Sequence, residues 1–293
     1  MRRLFKKSAK IQTPVMDHRV WAKGPKALCV DMHVHSSYSD APGNTLETII
    51  NKCRENNVGA AICDHNEIRG SVLLTESRRV LSIPAIEVGT SERLEFIAYF
   101  REAAALEEFY RKEVEPHKCS RFYAKLDRSF SELIPAAKEH GALVCLPHPF
   151  GPSYKNVNFG RKRKAALFNP DLFSNIDLIE TTNGHLPDSR NYRAYMLSEL
   201  FDKSVSAGSD AHRPTEIGNV YLRFDKIMDS KGVFDHLLAP KKVGIAKPYR
   251  VVRFAKTARN AAPRHLHLFF SRKHQQRWMS KYGESAVTGH AEA

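Results

Sequence analysis

The first apolar segment of the chain ends in a closely spaced set of histidines and aspartates. Asp31, His33 and His35 alternate within VDMHVHSSYSD (30–40), which closes on Asp40. Because alternate side chains of a β-strand point to the same face, His33 and His35 are expected to present two imidazoles side by side. A lone histidine in such a place is more often structural. Two imidazoles next to carboxylates instead predict a metal site.

Potential metal ligands recur where later apolar runs end. They are Asp64 and His65 after 59–63, Glu87 in 83–88, His148 after 142–146, and Asp210 and His212 after 204–207. A sixth run, 176–179, is followed by Glu180 and Asn183. Sites of α/β proteins form at the carboxyl ends of parallel strands, so these side chains are expected to converge. The mixed set suits zinc, manganese or iron, and it exceeds the roughly four to six ligands of one ion.

The elements that must position these ligands alternate along the chain. Apolar runs typical of strands buried on both faces occupy 27–32, 59–63, 83–88, 142–146, 176–179 and 204–207. Helical spacing lies between them, for example over 192–200. The alternation predicts an α/β fold with a parallel sheet, either closed into a barrel or doubly wound.

Two helix starts are predicted from capping-box spacing. Asn44 and Glu47 are three residues apart before an amphipathic segment, and Ser129 and Glu132 repeat the pattern. Pro135 follows in the second helix, so that helix is expected to start late or to kink.

Six motifs, taken together and in order, resemble those of the polymerase and histidinol phosphatase (PHP) family of metal-dependent phosphoesterases. They are VDMHVHSSYSD (30–40), AICDHNEIRG (61–70), IPAIEVGTS (83–91), CLPHPFG (145–151), IETTNG (179–184) and AGSDAH (207–212). Each motif alone is short, but the series covers essentially 27–222. The resemblance implies a distorted (β/α)7 barrel with two or three divalent metal ions at the carboxyl ends of its strands.

The resemblance also implies how the ligands are shared between sites. One site takes His33, His35, Glu87 and Asp210; a second adds His148 to the bridging Glu87; a third uses Asp40, His65 and His212. Many family members carry a histidine on the strand after the bridging glutamate, where this sequence has Glu95. A carboxylate there either favours manganese, iron or magnesium over zinc or weakens the site. The alternative is that Glu95 is an exposed strand residue.

The chemistry implied by the resemblance is hydrolysis of a phosphate ester by a metal-bound hydroxide. Asp64, His65 and Asp210 are the candidates for proton transfer, and the sequence does not distinguish between them. Candidate contacts to the substrate phosphate are Arg69, Arg161, Arg163, Arg213 and Asn183. A solvated loop is the alternative for the run 161–164, and Asp31 is interpreted as a supporting group. The remaining histidines considered, His117, His140, His185 and His236, are predicted to be structural or exposed.

The formal net charge of +14 belongs to the ends of the chain. Residues 1–26 carry eight Lys/Arg and one acidic residue, and residues 241–293 carry twelve Lys/Arg and two acidic residues. A net charge of −3 therefore remains for residues 27–240. We therefore expect a basic N-terminal extension (1–26), a catalytic barrel (27–240) with a helical insertion at about 101–128, and a basic, aromatic tail (241–293). Such ends favour contact with nucleic acid, and solvated ends are the alternative.

Two classes of function fit the sequence. The first is a phosphoesterase acting on a nucleotide, a nucleic acid end or a small phosphomonoester. The alternative is a catalytically weak or inactive PHP barrel that binds nucleic acid or a membrane surface. Five cysteines without a C-x-x-C pair, and no apolar stretch of about 20 residues, favour a cytoplasmic protein without a transmembrane segment.

Overall fold

A computed structural model describes residues 27–92, 94–118, 125–151, 173–239 and 242–245. Within these ranges the strands are β1 Leu28–Val34, β2 Gly59–Ile62, β3 Ala85–Gly89, β4 Glu95–Tyr99, β5 Leu143–Leu146, β6 Leu178–Asn183, β7 Ser204–Gly208, β8 Val220–Phe224 and β9 Lys242–Ile245. The α-helices are α1 Leu46–Asn56, α2 Arg69–Ser77, α3 Ala103–Phe109, α4 Phe130–Glu139, α5 Asp188–Leu200 and α6 Ser230–Asp235. All six predicted apolar runs form strands.

The strands form two mixed sheets, in the orders β2-β1-β8-β9 and β3-β4-β5-β6-β7. Pairing is parallel for β1–β2, β5–β6 and β6–β7 and antiparallel for β1–β8, β3–β4, β4–β5 and β8–β9. The expected α/β fold is confirmed, whereas the expectation of a parallel sheet holds only in part. A parallel crossover needs a dozen or more residues, and the short turn between β3 and β4 therefore makes a hairpin.

Both edges of the five-stranded sheet meet the four-stranded sheet through isolated parallel bridges. One edge has Ala60 opposite Ser82 and His65 opposite Glu87, and the other has Val34 opposite Ala211. Among the described residues, the strand ladders do not continue through these bridges into a closed barrel. The bridges nevertheless bring the carboxyl ends of β1, β2, β3 and β7 together.

Asn44 does not cap α1, contrary to the sequence prediction. The N-cap is Thr45, whose side chain accepts a hydrogen bond from the Thr48 amide. Asn44 is fully buried, and its Nδ2 donates to the carbonyl oxygens of His35 (2.8 Å) and Ala211 (3.0 Å). It therefore fastens the end of β1 to the segment that follows β7.

The capping box of α4 is confirmed at Ser129 and Glu132. The helix begins at Phe130 directly after the cap, so Pro135 does not delay its start. Earlier in the chain, α3 continues into a π-helical turn (Tyr110–Val114) and a 3-10 turn (Glu115–His117). Strand β9 lies beyond residue 240 and pairs with β8.

Several sequence predictions lie outside the described residues. These are the N-terminal extension 1–26, the arginines in 161–164 and the tail from 246 onward. A helix that is both long and apolar enough to cross a membrane is not found in the part of the chain that the structure describes.

The contacts of Asn44 predict a variant that is affected in both stability and metal binding. Asn44→Ala removes two buried hydrogen bonds, each worth about 1 kcal/mol, and we expect the free energy of unfolding to fall by about 1–3 kcal/mol. Bound metal, measured by mass spectrometry, should fall as well because Asn44 holds the ends of β1 and β7.

The matched control is Thr45→Ala. Loss of this cap should cost about 1 kcal/mol in denaturant unfolding and leave the metal content unchanged. Equal metal content in both variants would contradict the positioning role of Asn44.

Candidate metal centre

All nine predicted metal ligands come together at the meeting point of the strand ends. Their potential ligand atoms lie within 4.8 Å of one another in overlapping groups. The groups are His33–His35–Asp210, His33–Glu87–His148, His35–Asp40–His65–His212, His65–Glu87–Glu95 and His185–Asp210–His212. The predicted convergence of the side chains at the ends of the apolar runs is confirmed, and Glu95 and His185 join them.

His33 and His35 present their imidazoles to the same point. Their Nε2 atoms are 3.1 Å apart. Oδ1 of Asp210 lies 3.2 Å from Nε2 of His35 and 3.6 Å from Nε2 of His33. Two imidazole nitrogens and a carboxylate oxygen therefore face one another at distances that suit a shared ion.

Glu87 lies close to four histidines, which are His33, His35, His65 and His148. Its Oε1 is 3.1 Å from Nε2 of His148, and its Oε2 is 2.9 Å from Nδ1 of His65 and 3.7 Å from Nε2 of His33. The side chain is fully buried, and both of its carboxylate oxygens face imidazole nitrogens. A buried carboxylate surrounded by imidazoles fits a metal ligand, because burying its charge without a cationic partner is costly.

Asp40 brings a further histidine group together. Its Oδ2 lies 3.1 Å from Nε2 of His212 and 3.9 Å from Nε2 of His65, and its Oδ1 lies 3.7 Å from Nδ1 of His35. His212 donates from Nδ1 to the Asp210 carbonyl (2.8 Å), so Nε2 is the ring nitrogen that faces this group.

Glu95 reaches the site because β4 runs antiparallel to β3. In this hairpin Glu95 pairs with Gly89 and Ile97 pairs with Glu87, so the two glutamates are diagonal neighbours on one face. Glu95 is buried, and its Oε1 lies 3.4 Å from Nδ1 of His65. Burial excludes the exposed-strand alternative. The residue belongs to the group of His65 and Glu87, and His148 is not part of that group.

The backbone around the site is unusual at the strand ends. Asn66, His148 and Asp210 adopt positive φ values of 50°, 28° and 53°. Non-glycine residues rarely take this conformation, and it recurs at functional sites. A Cβ on Gly208 would lie 2.3 Å from Cβ of His33, so β7 passes against β1 where only glycine fits.

Glu180 orients one ligand and was not among the predicted site residues. Its Oε1 lies 2.9 Å from Nδ1 of His33, and its Oε2 accepts from the His148 amide (2.7 Å) and from Nδ2 of Asn183 (3.0 Å). Such a carboxylate fixes the imidazole tautomer that leaves Nε2 of His33 available. Nδ2 of Asn183 also donates to Asp210 (3.3 Å). The signal for Glu180 was its position at the end of the sixth run.

His185 is a second residue that sequence reasoning missed. It was predicted to be structural or exposed, but its Nδ1 lies 3.9 Å from Oδ2 of Asp210 and its Nε2 lies 3.4 Å from Oε2 of Glu216. It forms a potential ligand group with Asp210 and His212. Its only sequence signal is that it directly follows the motif IETTNG. The other three histidines, His117, His140 and His236, belong to none of the groups.

The site combines ionised carboxylates with histidines of different basicity. Burial acts to raise the pKa of Asp40, Glu87 and Asp210. Neighbouring histidines outweigh this effect and hold the pKa of each carboxyl well below its usual range. Burial, together with His212, lowers the pKa of His35 to about 3. Against the same burial effect, Asp40 and Asp210 raise the pKa of His212 to about 10. Because ligation requires neutral imidazoles, metal affinity should fall in acid.

Two further aspartates are used as supports. Asp64 accepts hydrogen bonds from the Ser36 amide (2.7 Å) and from the hydroxyls of Ser36 and Ser39. Asp31 accepts from the amides of Ser209 and Gly218, both at 2.8 Å. Burial raises the pKa of each aspartate to about 6.

The predicted cationic contacts are only partly described. Arg69 pairs with both carboxylate oxygens of Glu67, at 3.1 and 2.9 Å, and its guanidinium lies 5.0 Å from the centre of the Tyr38 ring. The Arg213 amide donates to Glu216 beside His212. Arg161 and Arg163 lie outside the described residues.

Comparison with known proteins identifies relatives of this chain. A family model described as PHP-associated matches residues 188–241. An uncharacterised protein of Methanocaldococcus jannaschii is 30% identical over 203 residues, which are 68% of this chain and 71% of that protein.

Solved structures with a similar fold include an endonuclease and a protein that contains a predicted phosphoesterase. The lesion-specific endonuclease PfuEndoQ of Pyrococcus furiosus aligns with a TM-score of 0.60 and 20% identity, covering 75% of this chain but only 57% of the endonuclease. PsfC of Pseudomonas syringae aligns with a TM-score of 0.55 and 13% sequence identity, covering 82% of this chain and 98% of PsfC. A Bacteroides vulgatus protein containing a predicted PHP-like metal-dependent phosphoesterase aligns with a TM-score of 0.50 and 17% sequence identity. The alignment covers 81% of this chain and 68% of that protein. At these identities the likeness concerns the fold.

The placement of Glu95 predicts how the metal preference can be changed. Replacing its hard oxygen donor by an imidazole in Glu95→His should raise the zinc share of the bound metal. The measurement is mass spectrometry after dialysis against equal concentrations of manganese and zinc. Glu199→His, which alters an exposed glutamate on α5, is the control. An unchanged metal ratio in Glu95→His would show that Glu95 is not a ligand.

Proposed function

The chain belongs to the PHP family, and from this premise we propose that it is a hydrolase that cleaves phosphate esters with divalent metal ions bound at the strand ends. The observation that carries the proposal is the convergence of nine histidine and carboxylate side chains in overlapping groups within 4.8 Å. The nitrogen and oxygen donors fit manganese, iron or zinc, and their number exceeds the needs of one ion. A bound pair or triplet of such ions supplies Lewis acidity that activates water and stabilises charge on the phosphoryl group.

Side chains around the cluster orient the ligands of this site. Glu180 holds His33 in the tautomer needed for ligation, and Asn183 holds Asp210 by a 3.3 Å hydrogen bond. Asp64 is engaged by Ser36 and Ser39, so its role in this proposal is to shape the loop after β1. Proton transfer then falls to groups that face the ligand cluster, for which His65 and Asp210 are the candidates.

The class of substrate is open between a small phosphomonoester and a nucleic acid. PfuEndoQ is described as a lesion-specific endonuclease, and another similar structure is Endonuclease Q in complex with a duplex substrate that carries an abasic lesion at the active site. This chain spans only 57% of PfuEndoQ, and its basic ends are the feature of its own that favours nucleic acid. An inactive binding protein is disfavoured because none of the nine expected ligand positions is displaced from the cluster.

Hydrolysis of an aryl phosphate tests the proposed activity. We expect His33→Ala and Asp210→Ala to lower kcat/KM by about 100-fold or more, because each removes a ligand from the cluster. A chelator should abolish activity, and added manganese should restore it.

His236→Ala is the matched control, since His236 is exposed and contacts Gly232 on α6. It should retain full activity. A metal-loaded wild-type protein that hydrolyses no phosphoester would overturn the proposal.

Removal of residues 246–293 tests the role of the basic tail. This truncation keeps β9 and eliminates ten Lys/Arg. Oligonucleotide affinity and its dependence on salt should both decrease, because fewer phosphates are neutralised, while aryl phosphate hydrolysis is spared. Fluorescence anisotropy at several salt concentrations measures the effect. Unchanged affinity would contradict a nucleic acid role for the tail.

A further inference from the structure

Two arginines on α5 share one uncharged partner. Arg190 donates from Nη1 to the carbonyl oxygen of Phe150 (2.9 Å), and the Arg193 guanidinium lies 4.4 Å from the centre of the Phe150 ring. Residues three apart lie on the same face of a helix, so the two guanidinium groups are neighbours. Arg190 is partly buried and Arg193 is exposed.

Among the residues that the structure describes, no carboxylate forms an ion pair with either arginine of this pair. Their hydrogen bond and ring contact both go to Phe150. Partial desolvation of its guanidinium and the neighbouring positive charge of Arg190 lower the pKa of Arg193 from its usual value. Two guanidinium groups that repel each other, with no acidic partner among the described residues, favour the binding of an anion.

The arginine pair is fixed relative to the ligand cluster on two sides. Phe150 lies two residues after His148, in a turn closed by a 2.8 Å hydrogen bond from the Gly151 amide to the His148 carbonyl. On α5, Asn191 accepts from the Asn183 amide (3.1 Å) and donates to the Asn183 carbonyl (3.2 Å). Asn183 in turn contacts Asp210.

The helix direction places the pair at the same end of the sheet as the cluster. Helix α5 follows the carboxyl end of β6 after four residues, so its first turns lie beside the strand ends that carry His148 and Asp210. An anion bound there would be a neighbour of a phosphate bound at the cluster.

We propose that Arg190 and Arg193 bind a phosphate group of the substrate next to the phosphate that is hydrolysed. This inference rests on the proposed phosphoesterase function and narrows its substrate to molecules with at least two phosphates. The planar guanidinium groups suit bidentate contact with phosphate oxygens. The second phosphate belongs either to a nucleic acid backbone or to a polyphosphate chain, and both offer the same chemistry to the arginines.

Binding to full-length, metal-loaded protein tests the inference without requiring turnover. The probes are phosphorothioate forms, which resist hydrolysis, of thymidine 5′-monophosphate, thymidine 3′,5′-bisphosphate and thymidine 5′-diphosphate. Calorimetry of Arg193→Gln should show about tenfold weaker binding of a two-phosphate ligand and less than twofold weaker binding of the monophosphate. Loss confined to the 3′,5′-bisphosphate indicates a nucleic acid backbone, and loss confined to the 5′-diphosphate indicates a polyphosphate chain.

Arg193 is the preferred position because Arg190 also holds the turn that follows His148. Arg193→Lys should recover part of the affinity by restoring the charge. The control is Arg54→Gln, which removes an exposed arginine from the last turn of α1. This turn precedes the amino end of β2, whereas the ligand cluster lies at the carboxyl ends of the strands. Thermal unfolding and metal content of each variant report whether the fold is intact.

Two results would overturn the inference. One is equal weakening of all three ligands by Arg193→Gln, and the other is no weakening of either two-phosphate ligand. Failure of the proposed function is recognised separately: the wild-type protein would then hydrolyse no aryl phosphate, while the selective loss in Arg193→Gln would still establish the phosphate subsite.

Discussion

Compensation of buried negative charge is the constraint on which the rest of this structure depends. Asp40, Glu87, Glu95 and Asp210 lie largely out of water and within contact distance of one another's histidine partners. Taking an ionised carboxylate out of water costs several kcal/mol unless positive charge accompanies it. Protonated imidazoles or divalent metal ions can supply that charge, and the two compete because ligation requires the neutral ring.

The local backbone serves this constraint at some cost to stability. His148 and Asp210 lie just after strand ends and belong to the ligand groups, and both adopt positive φ values, a conformation that costs a non-glycine residue stability. Gly208 lets β7 approach β1 to a distance that no side chain permits, and Asn44 joins the same two segments. Stability is therefore traded for a fixed arrangement of ligands, as is usual where polar groups must converge.

Sequence reasoning found most of the site because its signals were local. Alternation within β1 predicted that His33 and His35 share a face, and their 3.1 Å separation agrees. Spacing alone could not decide whether Asn44 or Thr45 caps α1, because the choice depends on carbonyl groups brought near by β7. His185 was missed for the same reason: its partners, Asp210 and Glu216, come from distant parts of the chain.

Glu95 is a ligand candidate that does not follow the rule that ligands lie after parallel strands. In a β3–β4 hairpin the first residue of the second strand lies at the same end as the last residue of the first. A ligand at the start of an antiparallel strand therefore reaches the site that ligands at the ends of parallel strands build. The sheet was expected to be parallel, so the residues alone gave Glu95 no place in the cluster, and only the family resemblance directed attention to it. The mixed topology thus allows one extra carboxylate to join His65 and Glu87, which makes the cluster richer in oxygen donors than a parallel sheet alone would predict.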